Sequence, residues 1–212
     1  GISSANAKFE LAMAYMGQES YPKAAIELRD ILENQADWER IDQVLYQLAW
    51  TAKYQDDADS ADDFFQQLVD QKSDSGFAGE AWFHLGESAY KAESFEQAGK
   101  QYAQAMELAS NDTVRNNARY KLAWTQFKTR KWQTAAEGFS KLVEVAKEPL
   151  KSQAQFMSGE SLFEAKKFGP ALEAYQACLA TLESTQEVSD AMKQLARSVS
   201  YTHLTLPTTV FV

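Results

Sequence analysis

In the stretch "AWFHLGESAYKAESFEQAGKQYAQAMELA", apolar residues recur at Trp82, Leu85, Gly86 and Ala89, and again at Phe95, Ala98, Tyr102, Ala105 and Met106. Both runs keep a period near 3.6 residues, the signature of a helix with one buried stripe. Between them "KAES" is polar and short, so the two helices must fold back as antiparallel neighbours. The pattern returns along the chain. Ala12, Ala49, Gly86, Ala123 and Gly159 stand 37, 37, 37 and 36 residues apart, and twelve residues after each comes Ala24, Ala61, Ala98, Ala135 or Ala171. Small residues kept in phase predict points where two helices cross closely, since a larger side chain there would overpack the contact.

Large residues keep the same period. Four after each second alanine stand Leu28, Phe65, Tyr102, Phe139 and Tyr175, and four after each turn-like segment stand Tyr21, Phe95, Trp132 and Phe168, with Ala58 the exception. Internal repetition at this period predicts an all-α fold, an α-solenoid of stacked antiparallel helix pairs. The repeats fall at about residues 5–37, 42–74, 79–111, 116–148 and 152–184, with a partial sixth at 189–198. Ala196, 37 residues after Gly159, sits in "AMKQLARS", which reads as the first helix of that sixth repeat, cut off in mid-helix.

The closing residues break the pattern. "SVSYTHLTLPTTVFV" has no charged residue and is crowded with Thr and β-branched types. From Val199, the residues Val-Ser-Tyr-Thr-His-Leu-Thr-Leu-Pro-Thr match GTC TCT TAT ACA CAT CTG ACG CTG CCG ACG codon by codon. That string resembles translated read-through of a sequencing adapter, so residues 199–212 are expected to be a non-native tail outside the fold.

The repeated residues resemble the tetratricopeptide repeat, whose pattern runs Trp-x2-Leu-Gly-x2-Tyr, then Ala-x3-Phe, then Pro. "WFHLGESA" is the nearest copy, and "LAMAYMGQESYPKAAIEL" retains Leu11, Ala12, Tyr15, Tyr21 and Ala24. The resemblance covers about residues 5 to 198. Three features depart from it: the period is longer than the usual ~34 residues, the terminal proline is missing from every copy, and Ser158 replaces the expected Leu in the fifth. The long period looks like that of bacterial cell-envelope members such as Tol-Pal coordinators and outer-membrane assembly lipoproteins. The resemblance implies a right-handed superhelix whose first helices line a concave groove that binds a protein or peptide. It points to the periplasm or cell envelope, with the cytoplasm as the alternative.

Charge narrows the partners. Thirty acidic against 21 basic residues leave a net charge of -9, carried entirely by residues 1 to 198. Such a surface repels phosphates, which argues against a nucleic-acid partner. No stretch approaches the roughly 18 apolar residues of a membrane span.

Candidate chemistry is sparse. With His203 in the tail, His84 is the remaining histidine, beside Phe83 and Leu85, and has no cysteine to share a metal; it is expected to be packed. Cys178 takes the place of Ile31, Leu68, Ala105 and Leu142 and is expected to be a small core residue. "YQDDADSADDFF" lacks the central Gly and final Glu of a calcium loop. Asp59, Asp62 and Asp63 are instead expected to favour the positive end of the following helix. "NDT" at Asn111 has the form of a glycosylation sequon. No phosphate loop or nucleophile elbow occurs. The sequence therefore predicts no catalytic residue, no metal and no cofactor.

Binding candidates lie on the first helix of each repeat. Three residues before each small anchor stand Phe9, Tyr46, Phe83, Tyr120 and Phe156. One residue after it stand Met13, Trp50, Glu87, Trp124 and Glu160, and four after it Met16, Lys53, Tyr90, Phe127 and Phe163. Positions i, i+4 and i+7 share one helix face, so these thirteen residues, Met16 and Lys53 apart, are the candidate contact surface. The i-position aromatics have an alternative role as core between stacked helices. Trp50, Trp124, Tyr90 and Phe127 are the preferred contacts, because Glu or Lys occupies the equivalent positions elsewhere. Glu87 and Glu160 beside them suggest a peptide with apolar and some basic side chains. Family members that grip a C-terminal carboxylate use Lys, Asn and Arg where this chain has aromatics, which disfavours that mode. The alternatives are self-association, a spacer role, or an accessory role to an enzyme; the sequence leaves the oligomeric state open.

Overall fold

A computed structural model describes residues 4–180, which form ten α-helices: α1 (Ser4–Gly17), α2 (Tyr21–Asn34), α3 (Ile41–Lys53), α4 (Ala58–Gln71), α5 (Ala78–Lys91), α6 (Phe95–Leu108), α7 (Asp112–Lys128), α8 (Trp132–Val145), α9 (Leu150–Glu164) and α10 (Phe168–Leu179). Among the described residues there is no strand. Each odd-numbered helix and the even-numbered one after it form a repeat, and the fold is an α-solenoid of antiparallel pairs. The expected partial sixth repeat and the tail lie outside the described residues. The chain divides into two compact units, Gly1–Arg115 and Asn116–Val212, with the division in the first turns of α7.

All ten small anchors are buried: Ala12, Ala49 and Gly86 on α1, α3 and α5, Ala24, Ala61 and Ala98 on α2, α4 and α6, and Ala123, Gly159, Ala135 and Ala171 in the second unit. The large residues four positions after the second anchor, Leu28, Phe65, Tyr102, Phe139 and Tyr175, are fully enclosed. Each such side chain contributes roughly 1.5–3 kcal/mol by leaving water. In the first unit Phe9, Leu28, Ile31 and Val44 form one cluster and Leu45, Phe65, Leu68 and Leu85 another; in the second, Phe139, Leu142 and Met157 gather around Ala123.

Anchor size is matched to what faces it. A Cβ on Gly86 would stand 2.7 Å from the ring of Tyr102, and one on Gly159 would stand 2.5 Å from that of Tyr175. Alanine serves as the anchor in the repeats that carry Leu28, Phe65 or Phe139 instead.

The turns within the repeats share one geometry. Glu19, Asp56, Glu93, Arg130 and Lys166 all take a left-handed backbone, φ 56 to 60°. The following amide donates to the carbonyl five residues back: Ser20 to Tyr15, Asp57 to Ala52, Ser94 to Ala89, Lys131 to Gln126 and Lys167 to Leu162, at 2.8 to 3.0 Å. The left-handed residue donates three back, as Glu93 does to Tyr90 at 3.0 Å. This is the Schellman close of a helix, which usually employs glycine; here side-chain-bearing residues occupy it five times, at a cost of roughly 1–2 kcal/mol each in backbone strain. The second helix then opens on the residue that the sequence marks as bulky: Tyr21, Phe95, Trp132 or Phe168, and Ala58 in the second repeat.

One local expectation needs correction. The acidic run does not act together at the start of α4: Asp57 is the cap, accepting the Ser60 amide at 3.1 Å, Asp59 lies in the first turn, and Asp62 instead accepts a hydrogen bond from Ser88 on α5 at 2.8 Å. The side chain of Asn111 accepts the amide of Val114 at 2.9 Å, so its position at the head of α7 has a structural reason.

Candidate functional site

The first helices present the thirteen candidate residues in three rows, and each row makes its own kind of contact. In the i row, four aromatics pack on the large enclosed residue of their own repeat: Tyr46 on Phe65 at 6.3 Å between ring centroids, Phe83 on Tyr102 at 5.7 Å, Tyr120 on Phe139 at 5.5 Å and Phe156 on Tyr175 at 5.9 Å. Phe9 is only 4% exposed, with Trp38 at 5.6 Å and the Arg40 guanidinium 4.4 Å above its ring. Phe77 stacks on Tyr46 at 4.5 Å. Four of the five thus bridge the two helices of their own repeat, and Phe9 packs on residues that follow α2.

The i+7 row closes the turn. Tyr90 meets Phe95 at 5.3 Å, Phe127 meets Trp132 at 4.9 Å and Phe163 meets Phe168 at 5.3 Å, in nearly the same edge-on geometry, 65 or 66° between planes. The partner in each case is the first residue of the second helix. Offset and edge-on ring pairs of this kind contribute roughly 0.5–1.5 kcal/mol beyond area burial.

The i+4 row differs from repeat to repeat: Met13, Trp50, Glu87, Trp124 and Glu160, all half-buried. Where it carries Glu, the carboxylate is used inside the repeat. The Tyr102 hydroxyl donates to Glu87, and that of Tyr175 to Glu160 at 2.7 Å. Burial first, then the Glu87 carboxylate, holds the Tyr102 hydroxyl well above its ordinary pKa. A charged residue in this row is thus tied to a tyrosine, so charge at the position does not by itself mark a ligand-facing surface.

Where the row carries Trp, a cation lies beside the ring. The Lys53 ammonium stands 4.8 Å from the Trp50 centroid, and that of Lys128 stands 5.9 Å from Trp124. Trp124 also contacts Tyr120 at 6.4 Å and Phe127 at 5.6 Å. Trp50 touches Tyr54 at 5.7 Å and His84 at 5.0 Å, and Tyr54 in turn stacks on Tyr21 at 4.8 Å. Tyr54 is 54% exposed, which leaves an aromatic surface at the end of α3.

His84 is packed as expected, lying flat on Phe65 at 5.0 Å. Burial, followed by the neighbouring Lys53, pushes its imidazole down to about 4, so at neutral pH the ring is uncharged. Its Nδ1 can therefore accept from the Lys53 ammonium, 2.9 Å away. Burial and the charge of Lys91 lower the Lys53 pKa in turn. Cys178 is buried, its Sγ 3.5 Å from the carbonyl oxygen of Ser152. Among the described residues no group of three or more His, Cys, Asp and Glu could hold a metal, and no helix is long and apolar enough to cross a membrane.

The sequence missed the pairing of Tyr102 with Glu87 and of Tyr175 with Glu160. A signal for it exists: the combination Gly-Glu followed by Tyr occurs in the third and fifth repeats and in neither of those with Trp.

The fold recurs in solved structures of low sequence similarity. YrrB, a structure described as a TPR protein with an unusual peptide-binding site, is 17% identical with a TM-score of 0.71, covering 90% of this chain and 92% of its own. A MamA structure is 14% identical with a TM-score of 0.63, covering 98% and 97%, and PilF of Pseudomonas aeruginosa is 16% identical with a TM-score of 0.57, covering 95% and 91%. No curated protein sequence matches the chain. The family profile described as a tetratricopeptide repeat-like domain matches residues 33–197, well over half of the sequence, and α1 and α2, most of which precede that match, repeat the same anchors and the same turn. By its repeats, its helix pairs and this match, the chain belongs to the tetratricopeptide repeat-like family.

Proposed function

We propose that the protein is a non-catalytic scaffold that binds a protein or peptide through the inner face of its first helices and so assembles a complex. Trp50 in the first unit and Trp124 in the second are the principal contacts. One observation carries the reading: the i+4 row varies between repeats and holds half-buried tryptophans at two equivalent positions, each with a lysine ammonium beside its ring. Tryptophan gives large contact area at little conformational cost, which suits it to anchoring a partner. YrrB, of the same fold, is described as having a peptide-binding site.

The partner segment is apolar in this reading. A basic preference resting on Glu87 and Glu160 is weakened, because both carboxylates accept a tyrosine hydroxyl within their own repeat.

Panning a random peptide library against the immobilised full chain and against the double variant Trp50→Ala with Trp124→Ala tests this. Enrichment of peptides rich in aromatic and aliphatic residues is expected on the parent protein alone, with the helical signal and melting temperature of the variant within a few degrees of the parent. Equal enrichment on both would refute the assignment, and a collapse of the melting temperature would make the two tryptophans core residues.

A further inference from the structure

Two clefts occupy the same place in successive repeats of the first unit, and their chemistry is inverted. The first, about 440 Å³, lies between α2, α3 and α4 and is lined by Ala25, Ile26, Arg29 and Phe64, among others. There the protein fills its own need for a cation, since the Arg29 guanidinium lies 6.0 Å from the centre of the Phe64 ring. The second, about 360 Å³, lies between α4, α5 and α6. Counting 37 residues on from each position, Asp62 replaces Ala25, Asp63 replaces Ile26, Gln66 replaces Arg29 and Gln101 replaces Phe64, and these four line the second cleft.

The second cleft is lined by carboxylate, amide and hydroxyl groups, and one of its acceptors has no donor. No basic residue lines it. Asp62 has one donor in Ser88, at 2.8 Å; burial raises its carboxyl pKa, against the lowering by that hydrogen bond and by the charge of Lys53. The amide of Gln66 is directed to Asp70 at 2.8 Å. Gln101 is only 7% exposed, and its Oε1 is enclosed with no hydrogen-bond partner. A buried acceptor left unpaired costs about 1–3 kcal/mol, so the position is a poor choice for a merely structural residue when the repeat before it accommodates phenylalanine.

We propose that this cleft receives the guanidinium of an arginine from a partner protein, as a contact point separate from the aromatic face. A guanidinium is planar, carries five donors in a fixed fork and is weakly hydrated, which suits several converging acceptors in a half-buried slot. It restores the cation that Arg29 supplies one repeat earlier. The cleft takes Leu85, Ser88, Ala89 and Ala92 from α5, none of which belongs to the aromatic rows, so the inference does not rest on the role of Trp50 or Trp124.

The test is a titration of the isotopically labelled full chain with N-acetyl-arginine methylamide, followed by the side-chain amide signal of Gln101 and the backbone signals of α4 to α6. A saturable shift with a dissociation constant in the millimolar range is expected. Asp62→Asn with Asp63→Asn should weaken it about tenfold or more, as loss of charge-assisted hydrogen bonds requires, and Gln101→Phe should abolish it while raising the melting temperature. Trp50→Ala should leave it unchanged, which separates failure here from failure of the peptide-binding reading. Asp63 is exposed, so Asp63→Asn alone, expected to weaken binding several-fold, covers the case in which the double variant fails to fold. Absence of a saturable shift, equal binding of N-acetyl-lysine methylamide, or retained affinity in the Asp variants would each overturn the assignment.

Discussion

The second and third repeats are built on one plan and solve the same crossing differently. In the second, Ala49 faces Phe65 and the neighbouring i+4 residue is Trp50; in the third, Gly86 faces Tyr102 and the neighbour is Glu87. The fourth and fifth repeats show the same contrast, with Ala123, Phe139 and Trp124 against Gly159, Tyr175 and Glu160. A tyrosine at the crossing brings a hydroxyl that must be satisfied once buried. The carboxylate next to the glycine supplies the acceptor, and loss of the anchor Cβ makes room for the ring. A phenylalanine imposes neither demand, and the i+4 position is then open to tryptophan. What stands at the i+4 position of a repeat is thus coupled to what fills its interior.

The largest expected effect comes from forcing one solution onto the other. Gly86→Ala drives a Cβ to 2.7 Å from the Tyr102 ring. It should lower stability by about 1–3 kcal/mol through overpacking, seen as an earlier urea transition. Adding Tyr102→Leu, which reproduces the Ala12 and Leu28 pair of the first repeat, should recover much of that loss; no recovery would mean that the glycine answers to something other than the ring.

A smaller effect should follow from Tyr102→Phe, which deletes the donor to Glu87 at a cost of about 1 kcal/mol. The same variant has a pH signature. Tyr102 is held protonated in the fold above its ordinary value of 10.0, so its contribution is fully present below that pH and is lost as pH rises past it. Melting temperatures taken between pH 9 and pH 11 should therefore fall less steeply in Tyr102→Phe than in the parent protein. Parallel curves would show that the hydroxyl is not held in this way.

The smallest effect concerns what the two repeats share. Glu93 and Asp56 both hold a left-handed backbone at φ 57°. Glycine relieves that strain but loses more freedom on folding, so Glu93→Gly should stabilise by less than about 1 kcal/mol, read as a rise of a few degrees at most. A fall in melting temperature would indicate that the glutamate side chain contributes more than its backbone costs.

Much of this organisation is legible in the sequence through its small residues. The 37-residue spacing of Ala12, Ala49, Gly86 and Ala123 marks the crossings, because a close helix contact admits few side chains, and the turn sits at a fixed distance from them. The roles of the thirteen surface candidates are not legible in this way. Helical periodicity places them on one face and says nothing of what lies across from it. Phe83 and Tyr90 look equivalent on a helical wheel, yet one packs on Tyr102 and the other closes the turn on Phe95. Glu87 resembles a solvated charge until the Tyr102 hydroxyl is found against it.

The sequence by itself therefore determined the helix pairs, their period, their turns and their buried crossings, since those follow from local periodicity and side-chain size repeated along the chain. Only the tertiary structure decided which aromatics are internal, which carboxylates are occupied, and that Gln101 is buried with an acceptor to spare. Those properties depend on residues brought together from different helices and repeats, and a hydrogen bond or a ring contact exists only once both partners have been placed.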